Sequence, residues 1–305
     1  MSEKYYSNGK LLISGEYLVL DGALAFALPT KFGQDMTVQT IATPVVKWIS
    51  YDSNGNKWMQ EEIAITNIIS DVEIIGSEYL KTLVSVLRTA HKLNGDILSN
   101  KDNGFQVECN LSFPRLWGLG TSSTWINNIA QWFKINAFEL LEQSFGGSGY
   151  DIACAQNNQA LFYTRTKDNN PIIETFDFQP SFLNHLYFVY LNQKMDSKIA
   201  IANYRTSRGS IEKEKEYISS ISKKIASASS LEELQYLMSE HENILSNILK
   251  QPTVKNQLFR DFNGAIKSLG GWGGDFVLVA CQDDPTTYFK NKGYTTILSY
   301  NEMIL

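Results

Sequence analysis

Cysteine is scarce in this 305-residue chain. Cys109, Cys154 and Cys281 lie far apart, with no CxxC spacing and no histidine nearby to complete a zinc set. A disulfide framework and a zinc site are thereby disfavoured, and the thiols read as buried groups in a reducing cytoplasm. Long apolar runs are missing as well. The runs from Ala23 to Pro29 and from Phe276 to Cys281 fall far short of the roughly 18 residues of a membrane span. The first residues, Met1-Ser2-Glu3-Lys4-Tyr5-Tyr6, carry an acid and reach Gly15-Glu16 without an apolar signal core, so export is not expected and a cytoplasmic location is. A basic excess is also lacking. Lys and Arg number 27 against 32 Asp and Glu, a net charge of −5, which argues against a general nucleic-acid binder. No repeat, low-complexity tract or charge block stands out.

What is present is a globular composition: 43% hydrophobic and 12% aromatic residues can fill one large core or two ordinary ones. Strands are predicted over Lys10 to Val19, interrupted at Gly15, and over Met36 to Ile41, Val45 to Tyr51 and Phe105 to Leu111, with a hairpin turn at Asn54-Gly55. Helical spacing marks Tyr79 to Leu93, Ser122 to Phe138, Tyr150 to Gln156, Ile211 to Leu249 with a break at Ser227 to Ser230, and Val254 to Leu269. Ser230 and Glu233 fit a capping box. Pro171 and Pro180 mark the boundary, so an α+β chain of two lobes is expected, residues 1–175 and 176–305.

The most informative stretch is Gly118-Leu119-Gly120-Thr121-Ser122-Ser123, between a predicted strand and a predicted helix. Glycines let backbone N–H groups turn inward, and the helix N-terminus adds partial positive charge, a combination that suits phosphate. By itself this segment also reads as a plain glycine turn with a helix cap; it is neither a Walker A sequence nor a dinucleotide fingerprint. Two further segments accompany it: Gly9-Lys10-Leu11-Leu12-Ile13-Ser14-Gly15-Glu16-Tyr17 near the start, and Lys267-Ser268-Leu269-Gly270-Gly271-Trp272-Gly273-Gly274-Asp275 near the end. In this order the three resemble the motifs of the GHMP small-molecule kinases. Gly147-Ser148-Gly149-Tyr150-Asp151 is similar to that family's active-site segment, and Gly149 to Ala153 spells the GYDIA signature of one subgroup.

The resemblance implies a ribosomal-S5-like N-terminal lobe, a ferredoxin-like C-terminal lobe, ATP as phosphoryl donor, Mg²⁺, and a small-molecule acceptor. It implies nothing about oligomeric state. Asp151 matches the catalytic aspartate that would accept or orient the acceptor's hydroxyl proton. Lys10 matches the lysine that favours ionised Asp151 and stabilises the transferring phosphoryl group. Gly118, Leu119, Gly120, Thr121, Ser122 and Ser123 would bind ATP, with Ser122 also near the metal and Glu142 offered as its carboxylate ligand. Glu16, Ser148, Gly149, Gly271 and Gly273 would contact substrate. Departures from the pattern are Leu116-Trp117 ahead of the loop and Leu269 and Trp272 in the third motif. Glu16-Tyr17, Trp117 and Asp275 resemble the phosphomevalonate kinase branch more than mevalonate kinase or galactokinase. A phosphorylated acceptor needs cations, and Lys194, Lys198, Arg205 and Arg208 are available, Arg205 foremost, although a solvated basic helix face explains them equally. Mevalonate or another sugar or polyol is the alternative acceptor; a silent nucleotide-binding relative is the alternative of another class.

Overall fold

The computed structural model describes residues 2–100, 102–166, 170–195, 197–207 and 209–305. Its first elements are β1 (Ser2–Ser14), β2 (Ala25–Ile41), β3 (Val45–Tyr51), β4 (Lys57–Ala64), α1 (Ile65–Ile69), α2 (Glu78–Leu93), β5 (Gly104–Leu111), α3 (Thr121–Phe133), α4 (Ala137–Ser144) and α5 (Tyr150–Gln156). There follow β6 (Ala160–Thr164), β7 (Ile172–Phe176), β8 (Leu186–Tyr190), α6 (Ser197–Ser207), α7 (Glu212–Ala226), α8 (Leu231–Leu249), α9 (Val254–Leu258), β9 (Ala265–Ser268), β10 (Phe276–Ala280), α10 (Thr286–Asn291), β11 (Ile297–Ser299) and α11 (Tyr300–Met303). The chain is α+β and forms two compact units that interleave in sequence. Met1–Gly9, Phe32–Arg115 and Leu119–Gln156 make the first, and Lys10–Lys31, Leu116–Gly118 and Asn157–Leu305 the second.

In the first unit the later part of β2 pairs antiparallel with β5, Met36 opposite Cys109 and Val38 opposite Val107. β5 runs parallel to β3, which returns antiparallel as β4 through the expected turn. Asp52 builds that turn, its Oδ1 accepting the N–H groups of Asn54 and Asn56, both at 2.9 Å. Alternation along β5 buries Val107, Cys109 and Leu111, and the helical stripe of α2 buries Leu83, Val84, Leu87 and Ala90. With Trp48, Ile126, Ile129 and Phe133, all of these but Leu111 belong to the unit's core. The helix expected through Phe138 instead stops at Phe133. Lys134 takes a left-handed conformation (φ 55°), and Asn136 caps a new helix, α4, by accepting from the N–H groups of Phe138 and Glu139.

The second unit carries a four-stranded antiparallel sheet in the order β11-β8-β10-β9. Along the chain this unit's sheet runs strand, helices, two strands, helix, strand, and with the spatial strand order above that is the ferredoxin-like arrangement. Val254 to Leu269, expected as one helix, is instead a short helix followed by a strand. After α9, Asn263-Gly264 turns the chain and β9 pairs with β10, Ile266 opposite Val279 and Ser268 opposite Val277. Pairing with the buried β10 overrides the local helical spacing. The glycine-rich Gly270–Gly274 run is therefore the connection of a β-hairpin, not the end of a helix. α8 lies against β9, and α7 against α8.

Candidate active site

In the first unit, α3 begins at Thr121 behind Gly120, whose φ of 95° places it in the left-handed region. A glycine in that place gives α3 no side-chain cap, and among the described residues nothing accepts from the N–H groups of Thr121, Ser122 or Ser123. The Ser123 and Thr124 hydroxyls turn back onto the Gly120 carbonyl, at 3.0 and 3.1 Å, and Thr124 also reaches Gln34 Oε1 at 2.8 Å. Leu119 is fully buried and anchors the loop. Ser122 is exposed, and its hydroxyl has no partner among the described residues. The result is a helix start with uncommitted donors, the local chemistry of an anion site.

Gly149 opens α5, its carbonyl accepting from the N–H groups of Ile152 and Ala153. Asp151 stands half-buried in the first turn, Oδ1 3.1 Å from the Ile152 nitrogen. Gln156 donates to Asn127 Oδ1 at 2.8 Å and so ties α5 to α3. Ser148 is half-buried and Glu142 exposed on α4. Among the described residues no three His, Cys, Asp or Glu side chains gather into a metal set. Mg²⁺ asks for less, because it keeps several waters and takes one or two carboxylates beside substrate phosphates. The exposed Ser122 hydroxyl and Glu142 carboxylate have the chemistry for that role.

In the second unit Lys10 lies half-buried on β1, and Gly118 packs on Asp275. A Cβ on Gly118 would stand 2.5 Å from the Asp275 carboxyl carbon, and φ there is 69°, so both space and backbone demand glycine. Asp275 itself has φ 53°; its Oδ1 accepts the Met195 N–H at 3.2 Å. Burial raises its pKa, and the charge of Lys10 opposes that shift. The bulky approach to the loop is also explained: Trp117 meets Phe276 edge to face at 5.4 Å, and the Tyr190 hydroxyl donates to the Leu116 carbonyl. Trp272 turns its indole inward, Nε1 donating to the Pro252 carbonyl at 3.1 Å. Its amide donates to the Tyr17 hydroxyl at 2.9 Å, which links the first and third motifs. Gly271 is buried against Met195 and Gly273 half-buried. Arg205 and Lys194 are exposed; Arg208 and the side chain of Lys198 lie outside the described residues.

Glu16, expected on substrate, is 2% exposed and pairs with Lys267 and His241. Its carboxylate is committed to the interior. Sequence reasoning missed these partners, and also Glu242, which accepts from the Ser268 amide and hydroxyl. Their one sequence trace is ionisable groups on buried faces: Lys267 in the short apolar β9, and His241-Glu242 in the stripe of Leu234, Leu237, Met238 and Leu245.

No protein-family model matches the chain, and no curated protein matches it. Solved structures do. A crystal structure of mevalonate kinase superposes with a TM-score of 0.70 at 14% identity over 97% of this chain and 98% of that one. Streptococcus pneumoniae phosphomevalonate kinase in complex with phosphomevalonate and AMPPNP gives 0.68 at 14% over 95% of each. A D-glycero-D-manno-heptose 1-phosphate kinase from Bacteriodes thetaiotaomicron gives 0.69 at 12% over 100% and 96%. The chain thus has the fold of the GHMP small-molecule kinases, as its motifs led us to expect.

Proposed function

We propose that this protein is an ATP-dependent small-molecule kinase, and that its acceptor is phosphomevalonate. The observation that carries the kinase reading is the uncapped start of α3 behind Gly118 and Gly120, in a chain that has the GHMP kinase fold and keeps Lys10 and Asp151. The α3 amides and the Thr121 and Ser122 hydroxyls bind the nucleotide phosphates. Lys10 offsets charge on the transferring group, and Asp151 accepts the acceptor's hydroxyl proton as its oxygen attacks the γ-phosphorus. Ser148, Gly149, Gly271 and Gly273 shape the acceptor's surroundings, and Arg205 meets its phosphate. Mg²⁺, when bound through Ser122 and Glu142, supplies charge neutralisation on the phosphate oxygens. The motif likeness at Glu16-Tyr17, Trp117 and Asp275 is what favours phosphomevalonate over the other acceptors.

The test is ADP release from Mg²⁺-ATP against phosphomevalonate, mevalonate and a panel of sugars and amino acids. Turnover of phosphomevalonate, lost in Arg205→Ala while ATP binding persists, supports the whole reading. Turnover of mevalonate or a sugar alone keeps the kinase and replaces the acceptor. Nucleotide binding without turnover on the whole panel favours the silent relative.

A further inference from the structure

Four ionisable side chains lie fully buried together in the second unit and take no part in the chemistry above: Glu16, His241, Glu242 and Lys267, none more than 2% exposed. Lys267 on β9 pairs with Glu16 Oε1 and donates to the Ser268 carbonyl at 2.8 Å. His241 on α8 places Nε2 3.1 Å from both Glu16 Oε2 and the Gly15 nitrogen. The ring accepts from the amide or donates to the carboxylate, and either bond ties the Gly15–Glu16 turn to α8. Glu242, the next residue on α8, accepts from the Ser268 amide at 3.1 Å and its hydroxyl at 3.2 Å. Ser268 ends β9, two residues before the glycine loop begins. The turn itself is constrained. Gly15 has φ 94° and lies so close to Ala25 that a Cβ would stand 2.9 Å from its Cα, and Tyr17 holds φ 63° with its hydroxyl on the Trp272 amide. Burying such a group is costly, and a buried ion pair is a weak source of net stability, so stability alone is a poor account of this cluster.

We propose that Glu16, Lys267, His241 and Glu242 are positioning residues that lock the turn after Lys10 to the hairpin bearing the third glycine motif. α8 acts as the splint: His241 holds the turn and Glu242 holds the base of the hairpin, while Lys267 joins the two through Glu16. Lys10 lies on the strand that runs into the turn, and Asp275, at the far end of the hairpin, packs against Gly118 and feels the charge of Lys10, so the lock sets where Lys10 and the approach to the phosphate loop are held. This inference rests on the kinase reading for its kinetic consequence, though not for its structural one.

The test compares Glu16→Gln, Lys267→Met and the double variant. Each single change leaves a buried group unpaired and is expected to lower the unfolding midpoint. The double change removes both charges at similar volume, so folding is expected to survive. In the folded double variant, kcat for the acceptor that the wild type turns over with Mg²⁺-ATP is expected to fall at least tenfold. KM for ATP should move less than threefold. Amide hydrogen exchange in peptides covering Tyr17 and Gly270–Gly274 should speed up at least tenfold, while exchange in α2, α3 and β5 of the first unit stays as in the wild type. Unchanged exchange at Tyr17 and the glycine loop overturns the proposal, as does faster exchange spread evenly over the second unit. If the wild type turns nothing over, the kinase reading fails separately and the exchange result alone decides this one.

Discussion

At the scale of single residues, side chains proposed to do chemistry and side chains that support them should respond differently to substitution. Asp151→Asn keeps size and helix start but cannot accept a proton, so kcat should fall by roughly 10²–10⁴ while nucleotide affinity stays within a few-fold, as measured by turnover and by titration with a fluorescent ATP analogue. Gly118→Ala should behave differently. A left-handed alanine costs about 1–2 kcal/mol, and its methyl meets the Asp275 carboxyl, so the variant should show a lowered urea midpoint together with weakened nucleotide binding. Lys10, Asp151 and the Gly118 loop stand out as candidates in the sequence because they sit in short ordered motifs. Glu16 was legible as a motif member but not in its role, because nothing in the local sequence says that Lys267 and His241 will meet it 251 and 225 residues away; chain topology brings them there.

At the scale of elements, strands and helices with clean alternation were readable, among them β3, β5 and α2, and the Asn54-Gly55 hairpin. What failed was the end of one helix, the identity of another, and the strand expected to resume after Gly15: β1 ends at Ser14, and Leu18–Asp21 instead forms a 3-10 turn, with the Val19 N–H donating to the Gly15 carbonyl. α3 stops because a left-handed Lys134 and the Asn136 cap offer better partners than continuation, and Ala265–Ser268 became strand because β10 needed a neighbour. The predicted capping box at α8 is half realised. Ser230 Oγ accepts from the Glu233 amide at 3.2 Å, but the Glu233 carboxylate reaches back to the Ser229 amide and hydroxyl, both at 2.9 Å, one residue earlier than expected. Ser230→Ala should therefore cost about 1 kcal/mol of stability by chemical unfolding and leave kcat and KM unchanged, since the cap lies at the far end of α8 from Glu242 in sequence.

At the scale of the molecule, each unit has its own core, and the buried ionisable groups of the second make its stability depend on pH. Burial raises the Glu16 carboxyl, but the charges and hydrogen bonds of Lys267 and His241 outweigh it and hold the pKa down at about 2. Stability from that pair is present above the ordinary value of 4.5 and is lost as pH falls from there towards 2. Glu242 runs the other way. Burial, with Glu16 adding, pushes it up to about 8 against the pull of Lys267 and of the Ser268 hydrogen bonds. Its contribution is fully present below 4.5 and declines as pH rises towards 8. Unfolding midpoints should therefore fall between pH 5 and 8 in the wild type, and less steeply in Glu242→Gln. An equal slope in the two proteins would remove Glu242 from the account. Among the described residues no helix is long and apolar enough to cross a membrane.

The most direct measurement follows radiolabel from the γ-position of ATP, in the presence of Mg²⁺, into phosphomevalonate, with wild type and Asp151→Asn side by side. The account predicts labelled product from the wild type at a rate at least a hundredfold above the variant, a separation of about 2.7 kcal/mol in barrier. Equal labelling by the two proteins would contradict the role given to Asp151. Absence of label from phosphomevalonate and from every other acceptor on the panel, with ATP bound, would contradict the central claim that this fold is at work here as a kinase.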